Sequence, residues 1–209
     1  QYKGSLSNTN IHSITVRNLS PLTKYYFAIL SGNDTYMNSD QPFEVITGPT
    51  ISDNPSQEEP ITGKLILQDG SPPKEGIIYL TTNNSQVVSV LVKPDGSYVF
   101  PLNSIRTADL STFFNFSQNN NLEMLAFGNS VDSNILLSLD KARPVPTVTL
   151  SNDYDFRTAQ EPNENNSAGL ESFPSFTSTS SAGTNQKKSP QILTPTNNEG
   201  FTDDQPLFN

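Results

Sequence analysis

Leu19-Ser20-Pro21-Leu22-Thr23-Lys24-Tyr25-Tyr26-Phe27-Ala28-Ile29-Leu30 decides the reading of this chain. Its second half alternates: Tyr25, Phe27 and Ile29 fall on one face, and Tyr26, Ala28 and Leu30 on the other. A period of two with aromatic and β-branched residues predicts a β-strand. Its first half is a turn, because Pro21 presets φ and cannot donate to a ladder. Ser31-Gly32-Asn33-Asp34 breaks the run on the far side.

Two further strands flank this unit. Ile14 and Val16 alternate with polar neighbours before the turn-forming Asn18. Phe43, Val45 and Thr47 alternate after the break, and Gly48-Pro49 ends them. The pattern Leu-x-Pro-x-Thr-x-Tyr, followed by alternation, resembles the corner and penultimate strand of a fibronectin type III domain. Phe43-Glu44-Val45-Ile46-Thr47 resembles that domain's last strand. The resemblance implies a structural tyrosine corner built from Leu19, Pro21, Thr23 and Tyr25. In such a corner the tyrosine hydroxyl bonds to backbone a few residues upstream and pins the crossover between two sheets. Such domains run about 100 residues with seven strands. Residues 1–50 match only the carboxy-terminal half, so the chain reads as a piece of a larger protein that enters partway through a domain. The expected remnant has a hydrophobic face and open edges, and is marginal alone.

Residues 51–60 are polar, contain Pro55 and Pro60, and show no period, as in a linker. Residues 61–156 then read as a second sandwich. Apolar runs fall at 61–67, 76–80, 87–92, 97–100, 122–127, 134–139 and 145–150. Pro94-Asp95-Gly96 supplies a tight hairpin turn, with Asp95 as the local acceptor and Gly96 free to take positive φ. Residues 103–116 carry polar caps and an Arg106/Asp109 pair three apart, which predicts a helical turn. Thr62-Gly63-Lys64-Leu65-Ile66-Leu67-Gln68-Asp69-Gly70-Ser71-Pro72, then Gly76-Ile77-Ile78-Tyr79-Leu80, then Pro94-Asp95-Gly96-Ser97-Tyr98-Val99-Phe100 resembles a carboxypeptidase regulatory-like (transthyretin-like, prealbumin-type) domain. That resemblance implies a small accessory sandwich of the kind carried by bacterial modular surface proteins and by secreted enzymes. The expected fold class is therefore all-β: immunoglobulin-like and prealbumin-like β-sandwiches.

Residues 157–200 are dominated by Ser, Thr, Asn, Pro, Gln and Glu, and Phe201-Thr202-Asp203-Asp204-Gln205-Pro206-Leu207-Phe208 recovers some hydrophobicity, so 157–209 reads as a linker leading to a further domain. Residues 157–200 hold too little apolar area to offset a chain entropy of about 1–2 kcal/mol per residue, so a disordered Ser/Thr-rich tail is expected.

Composition narrows the function. Of the 209 residues, 33% are hydrophobic, so some of the chain lacks a core. There is no cysteine, which removes disulfides, thiol catalysis and Cys-based zinc sites. The net charge of -9, with only Lys187-Lys188 as an adjacent basic pair, argues against a nucleic-acid partner. No run approaches the ~20 apolar residues needed to span a bilayer, so no direct membrane insertion is expected.

The search for chemistry finds little. His12 is the single histidine, and it lies on an expected edge strand without a Ser–His–acid pattern. No carboxylate pair sits at matched strand ends, and no Gly-rich phosphate loop occurs. No catalytic, cofactor-binding or metal residue is assigned. Ca²⁺ needs only oxygen ligands, and Asn152-Asp153-Tyr154-Asp155 and Asp203-Asp204 are the candidates. The expectation is a non-catalytic structural or adhesive segment of an extracellular or cell-surface modular protein. Its partners would be neighbouring domains of the same chain, and surface glycans or proteins. The alternative is a carbohydrate-binding or accessory module of a secreted hydrolase. Tyr25, Tyr26, Tyr79 and Tyr98 are the tyrosines near strands that could stack on sugar.

Overall fold

A computed structural model describes residues 9–157. Twelve strands and one short 3₁₀ turn, Leu139–Lys141, form among them, so the described chain is all-β. The Ser/Thr-rich tail lies outside the described residues.

The amino-terminal part builds two small antiparallel pairs. β1 (Lys24–Phe27) pairs with β4 (Phe43–Ile46), setting Tyr25 opposite Val45 and Phe27 opposite Phe43. The two phenylalanine rings lie 5.2 Å apart, a cross-strand aromatic contact. β2 (Ile29–Ser31) and β3 (Asp34–Tyr36) close a hairpin through Gly32 at φ +62°. The expected single run from Tyr25 to Leu30 is thus two strands, interrupted at Ala28. The expected strand at Ile14 and Val16 does not form. Alternation alone supplies no ladder partner, and both side chains stay in solvent at 80% and 63% exposure. Among the described residues of this part, Val45 and Thr47 alone are buried.

The rest is a sandwich of a five-stranded and a three-stranded sheet. The larger sheet runs β12-β10-β9-β6-β7, where β6 is Gly76–Thr82, β7 Val88–Leu91, β9 Asn121–Gly128, β10 Val131–Ser138 and β12 Tyr154–Asp155. The smaller runs β11-β5-β8, with β5 at Ile61–Ile66, β8 at Ser97–Phe100 and β11 at Val148–Thr149. Most contacts are antiparallel, but β12 lies parallel to β10 and β11 parallel to β5.

Alternation decides what faces inward. Ile78 and Leu80 of β6, Leu122, Met124 and Ala126 of β9, and Ile135 and Leu137 of β10 meet Ile61 and Leu65 of β5 and Tyr98 and Phe100 of β8 in one core. Full burial of a large apolar side chain stabilises by about 1.5–3 kcal/mol, so this core dominates the molecule. The β9–β10 hairpin turns on Asn129 and Ser130, both at positive φ, as a two-residue primed turn requires. Glycine matters where β5 pairs with β8: Gly63 lies opposite Tyr98, and a Cβ there would lie 2.3 Å from the Tyr98 hydroxyl. The phenol fills the space a side chain would take.

Residues 103–116 are not helical. They form a loop fastened by isolated bridges, Ser85 to Thr107 and Arg106 to Phe113. Ile105, Leu110, Phe114 and Phe116 are buried, and this tertiary burial overrides the local capping signals. Arg106 lies in this loop and not on a helix. It is 3% exposed, and its guanidinium donates to the Pro49 and Leu110 carbonyls at 2.7 and 3.3 Å.

Candidate functional site

The polar groups of this chain gather at turns and crossovers, beginning with the stretch around Tyr25. The Tyr25 hydroxyl accepts the Ser20 N–H at 2.8 Å, five residues upstream. Thr23 Oγ1 donates to the Pro21 carbonyl at 2.9 Å, and Leu19 is half-buried beneath the turn. Thr47, read in the sequence only as a strand residue, is the hub. Its hydroxyl donates to the Ser20 carbonyl at 2.6 Å and accepts the Thr23 N–H at 2.9 Å. A buried threonine following an alternating strand, 24 residues from its partner, carries no local signal that marks it in advance.

A second tyrosine makes the same bond in the sandwich, there between two sheets, whereas no described strand precedes that of Tyr25. Tyr154 Oη accepts the Thr149 N–H at 3.0 Å and lies 3.2 Å from the Thr149 carbonyl, again five residues upstream. Between Thr149 and Tyr154 the chain leaves the three-stranded sheet and enters the five-stranded one. Tyr154 therefore pins a crossover between sheets. Only its spacing, equal to that of Ser20 and Tyr25, could have flagged it in the sequence.

Asp95 and Gly96 lie in the turn between β7 and β8. The Asp95 carboxylate accepts the Ser97 hydroxyl and N–H at 2.7 and 3.0 Å, and Gly96 sits at φ +83°. The device recurs. Asp69 holds Ser71 by hydroxyl and N–H at 2.6 and 2.9 Å around Gly70, and Asp109 holds Ser111 at 2.8 and 3.1 Å around Leu110. The central residues all have positive φ, at +80°, +83° and +61°. The serine hydroxyls and amides hold the Asp69 and Asp95 carboxyls below their ordinary range. Asp109 is lowered first by the Thr107 hydroxyl and then by Ser111. Leucine at positive φ is unusual and costs backbone energy. Burial of the Leu110 side chain, 5% exposed, offsets it.

The Ca²⁺ candidates Asn152, Asp153, Tyr154 and Asp155 point into different bonds. Asp153 accepts the Asn134 N–H at 2.8 Å, Asp155 pairs with Arg157 at 2.6 Å, and Asn152 Oδ1 faces the Gln68 amide at 3.4 Å. A shallow polar cleft of about 370 Å³ lined by Ser130, Asp132, Asn134, Ser151 and Asp153 lies beside them. Among the described residues no three acidic or histidine side chains converge as a metal set. Asp203 and Asp204 lie outside the described residues. His12 is solvent-exposed.

Of the tyrosines considered for sugar stacking, Tyr79 and Tyr98 are 8% and 1% exposed and present no outer platform. Burial pushes the Tyr79 phenol up to about 12 and the Tyr98 phenol higher still. Tyr26 is 62% exposed, and Tyr25 is committed to Ser20.

No family model, curated protein or solved structure matches this chain.

Proposed function

We propose that this chain is a non-catalytic structural segment, a spacer or adhesive unit, of a larger extracellular or cell-surface modular protein. The observation that supports it is where the reactive groups go. Tyr25, Tyr154, Thr47, Asp69, Asp95 and Asp109 all bond to backbone at turns or at a sheet crossover. Asp69, Asp95 and Asp109 each fasten a serine two residues on, while Tyr25, Tyr154 and Thr47 each fasten a loop. Such an allocation favours shape over turnover. The acidic surface suits solubility and not nucleic-acid binding. Partners on this reading are neighbouring domains of the same chain and surface proteins or glycans.

Brief protease treatment of intact source cells tests it. Release of peptides from this chain while cytoplasmic proteins stay intact is the expected result. Complete protection in intact cells, with digestion only after lysis, would overturn the location and with it the role.

A further inference from the structure

The amino-terminal part touches the sandwich at two separate places, one on either side of its strands. At the first, the Glu75 carboxylate accepts the Asn10 N–H at 2.7 Å, the Asn10 side-chain amide at 2.8 Å and the Ile11 N–H at 3.3 Å. Ile11 then packs on a second apolar cluster, Ile77, Tyr79 and Leu125. Those three lie on the face of the five-stranded sheet turned away from the core, since they alternate with Ile78, Leu80, Met124 and Ala126. At the second place the Pro49 carbonyl accepts from buried Arg106. Gly48 lies so close to the loop that a Cβ on it would sit 2.8 Å from the Leu110 Cβ. The Gly48 carbonyl also accepts the Leu22 N–H at 3.2 Å, so one residue joins the tyrosine corner to the sandwich.

We infer that the sandwich carries a receptor surface for its own amino-terminal part: Glu75 with the outer Ile77/Tyr79/Leu125 face takes residues 10–11, and Arg106 with Leu110 takes residues 48–49. The partner is this chain in cis. The complementarity is specific. A carboxylate meets three N–H donors, and a cationic side chain meets a carbonyl. An isoleucine meets an apolar face, and a residue without a side chain meets a close approach. A strand pair with a thin core is thereby held at both ends, and its direction relative to the sandwich is fixed. This deepens the spacer reading, yet fixed docking can hold or fail whatever the protein's location, so the two stand or fall separately.

The chain has no cysteine, so two introduced ones report alone. Thr35→Cys and Ser89→Cys, both at exposed positions, carry nitroxide labels on the full chain. Pulsed dipolar spectroscopy should give one narrow distance peak. Glu75→Ala with Gly48→Val, both at positions outside the sandwich core cluster, should abolish that peak in favour of a broad distribution. A broad distribution in the parent, or a peak unchanged in the double variant, overturns the inference. If the double variant fails to fold, the width in the parent decides alone. Mixing chains labelled singly at each position should give no distance signal. A signal there places the docking between copies and overturns the assignment in cis.

Discussion

The β1/β4 pair and the eight-stranded sandwich use the same corner lock but rest on different foundations. Tyr25 and Tyr154 both reach back five residues to a backbone amide. Around Tyr154 the side chains of two sheets interdigitate, whereas around Tyr25 only Val45 and Thr47 are buried. Seven large apolar side chains between Ile14 and Ile46 remain exposed, against two, Leu91 and Val99, in the sandwich. The contrast teaches that hydrogen bonds can shape a corner without a core beneath it, but that depth of burial sets how strongly the corner is held. A satisfied hydrogen bond contributes about 1 kcal/mol net, less than one buried phenylalanine.

The largest test removes that depth. Phe100→Ala empties a fully buried site and should destabilise the sandwich by about 3–5 kcal/mol. Phe43→Ala, at a half-buried site, should cost about 1–2 kcal/mol, in line with partial burial. Urea denaturation of both variants checks the ranking, and equal losses would erase the contrast. Amide exchange sharpens it: Phe27 and Ile29 should exchange much faster than Ile78 and Met124.

A glycine pair comes next. Gly96 and Gly70 sit in the same Asp–Gly–Ser turn at nearly the same φ, +83° and +80°. A Cβ on Gly96 would lie 2.3 Å from the Leu65 carbonyl, whereas one on Gly70 meets open space. Gly70→Ala should cost about 1 kcal/mol from backbone alone. Gly96→Ala should cost about 3 kcal/mol, because β5 must also move. Thermal melts of the two variants separate the packing part from the conformational part.

These turns also mark how far the sequence can be read. Apolar runs located β5, β7, β8 and β9 to within a residue at each end, whereas β6 runs two residues past the expected Leu80 and β10 begins three residues before the expected Asn134. The turn at Pro94-Asp95-Gly96 was legible because turn chemistry is local, but the expected hairpin was not: β7 pairs with β6 and β8 with β5, so the turn carries the chain from one sheet to the other. What escaped depends on distant partners. Ile14 and Val16 alternate yet find no strand to pair with. Residues 103–116 carry helix-capping residues, but Ile105, Leu110, Phe114 and Phe116 follow no helical period, and burial pulls them into a loop. Thr47 and Arg106 act on groups 24 and 57 residues away, at separations no local motif encodes. β12 is two residues long, too short for any period to show.

One substitution should have opposite signs at two tyrosines. Tyr154→Phe leaves the Thr149 N–H without its partner in a partly buried site and should cost about 1–2 kcal/mol. Tyr98 is buried with its hydroxyl unpartnered against Gly63, so Tyr98→Phe should be neutral or stabilise by up to about 1 kcal/mol. Paired chemical denaturation decides it. A loss at Tyr98 equal to that at Tyr154 would mean that burial of a hydroxyl, and not its partner, sets the outcome.

The smallest effect expected comes from acid. Asp69, Asp95 and Asp109 have carboxyls lowered by hydrogen bonds donated mainly by neighbouring Ser and Thr hydroxyls. A carboxyl lowered in the folded state binds protons more weakly there than in the unfolded chain. Its contribution is present above the ordinary carboxylate range and is lost as pH falls through the folded value. All three side chains face solvent, so each loss is small. All three turns belong to the sandwich, whose acid sensitivity should therefore exceed that of the β1/β4 pair. Asp95→Asn keeps an acceptor for Ser97 but cannot titrate. Urea midpoints followed downward from neutral pH should fall less steeply in that variant than in the parent. An identical slope would show that the turn aspartates shape the loops without tying stability to pH.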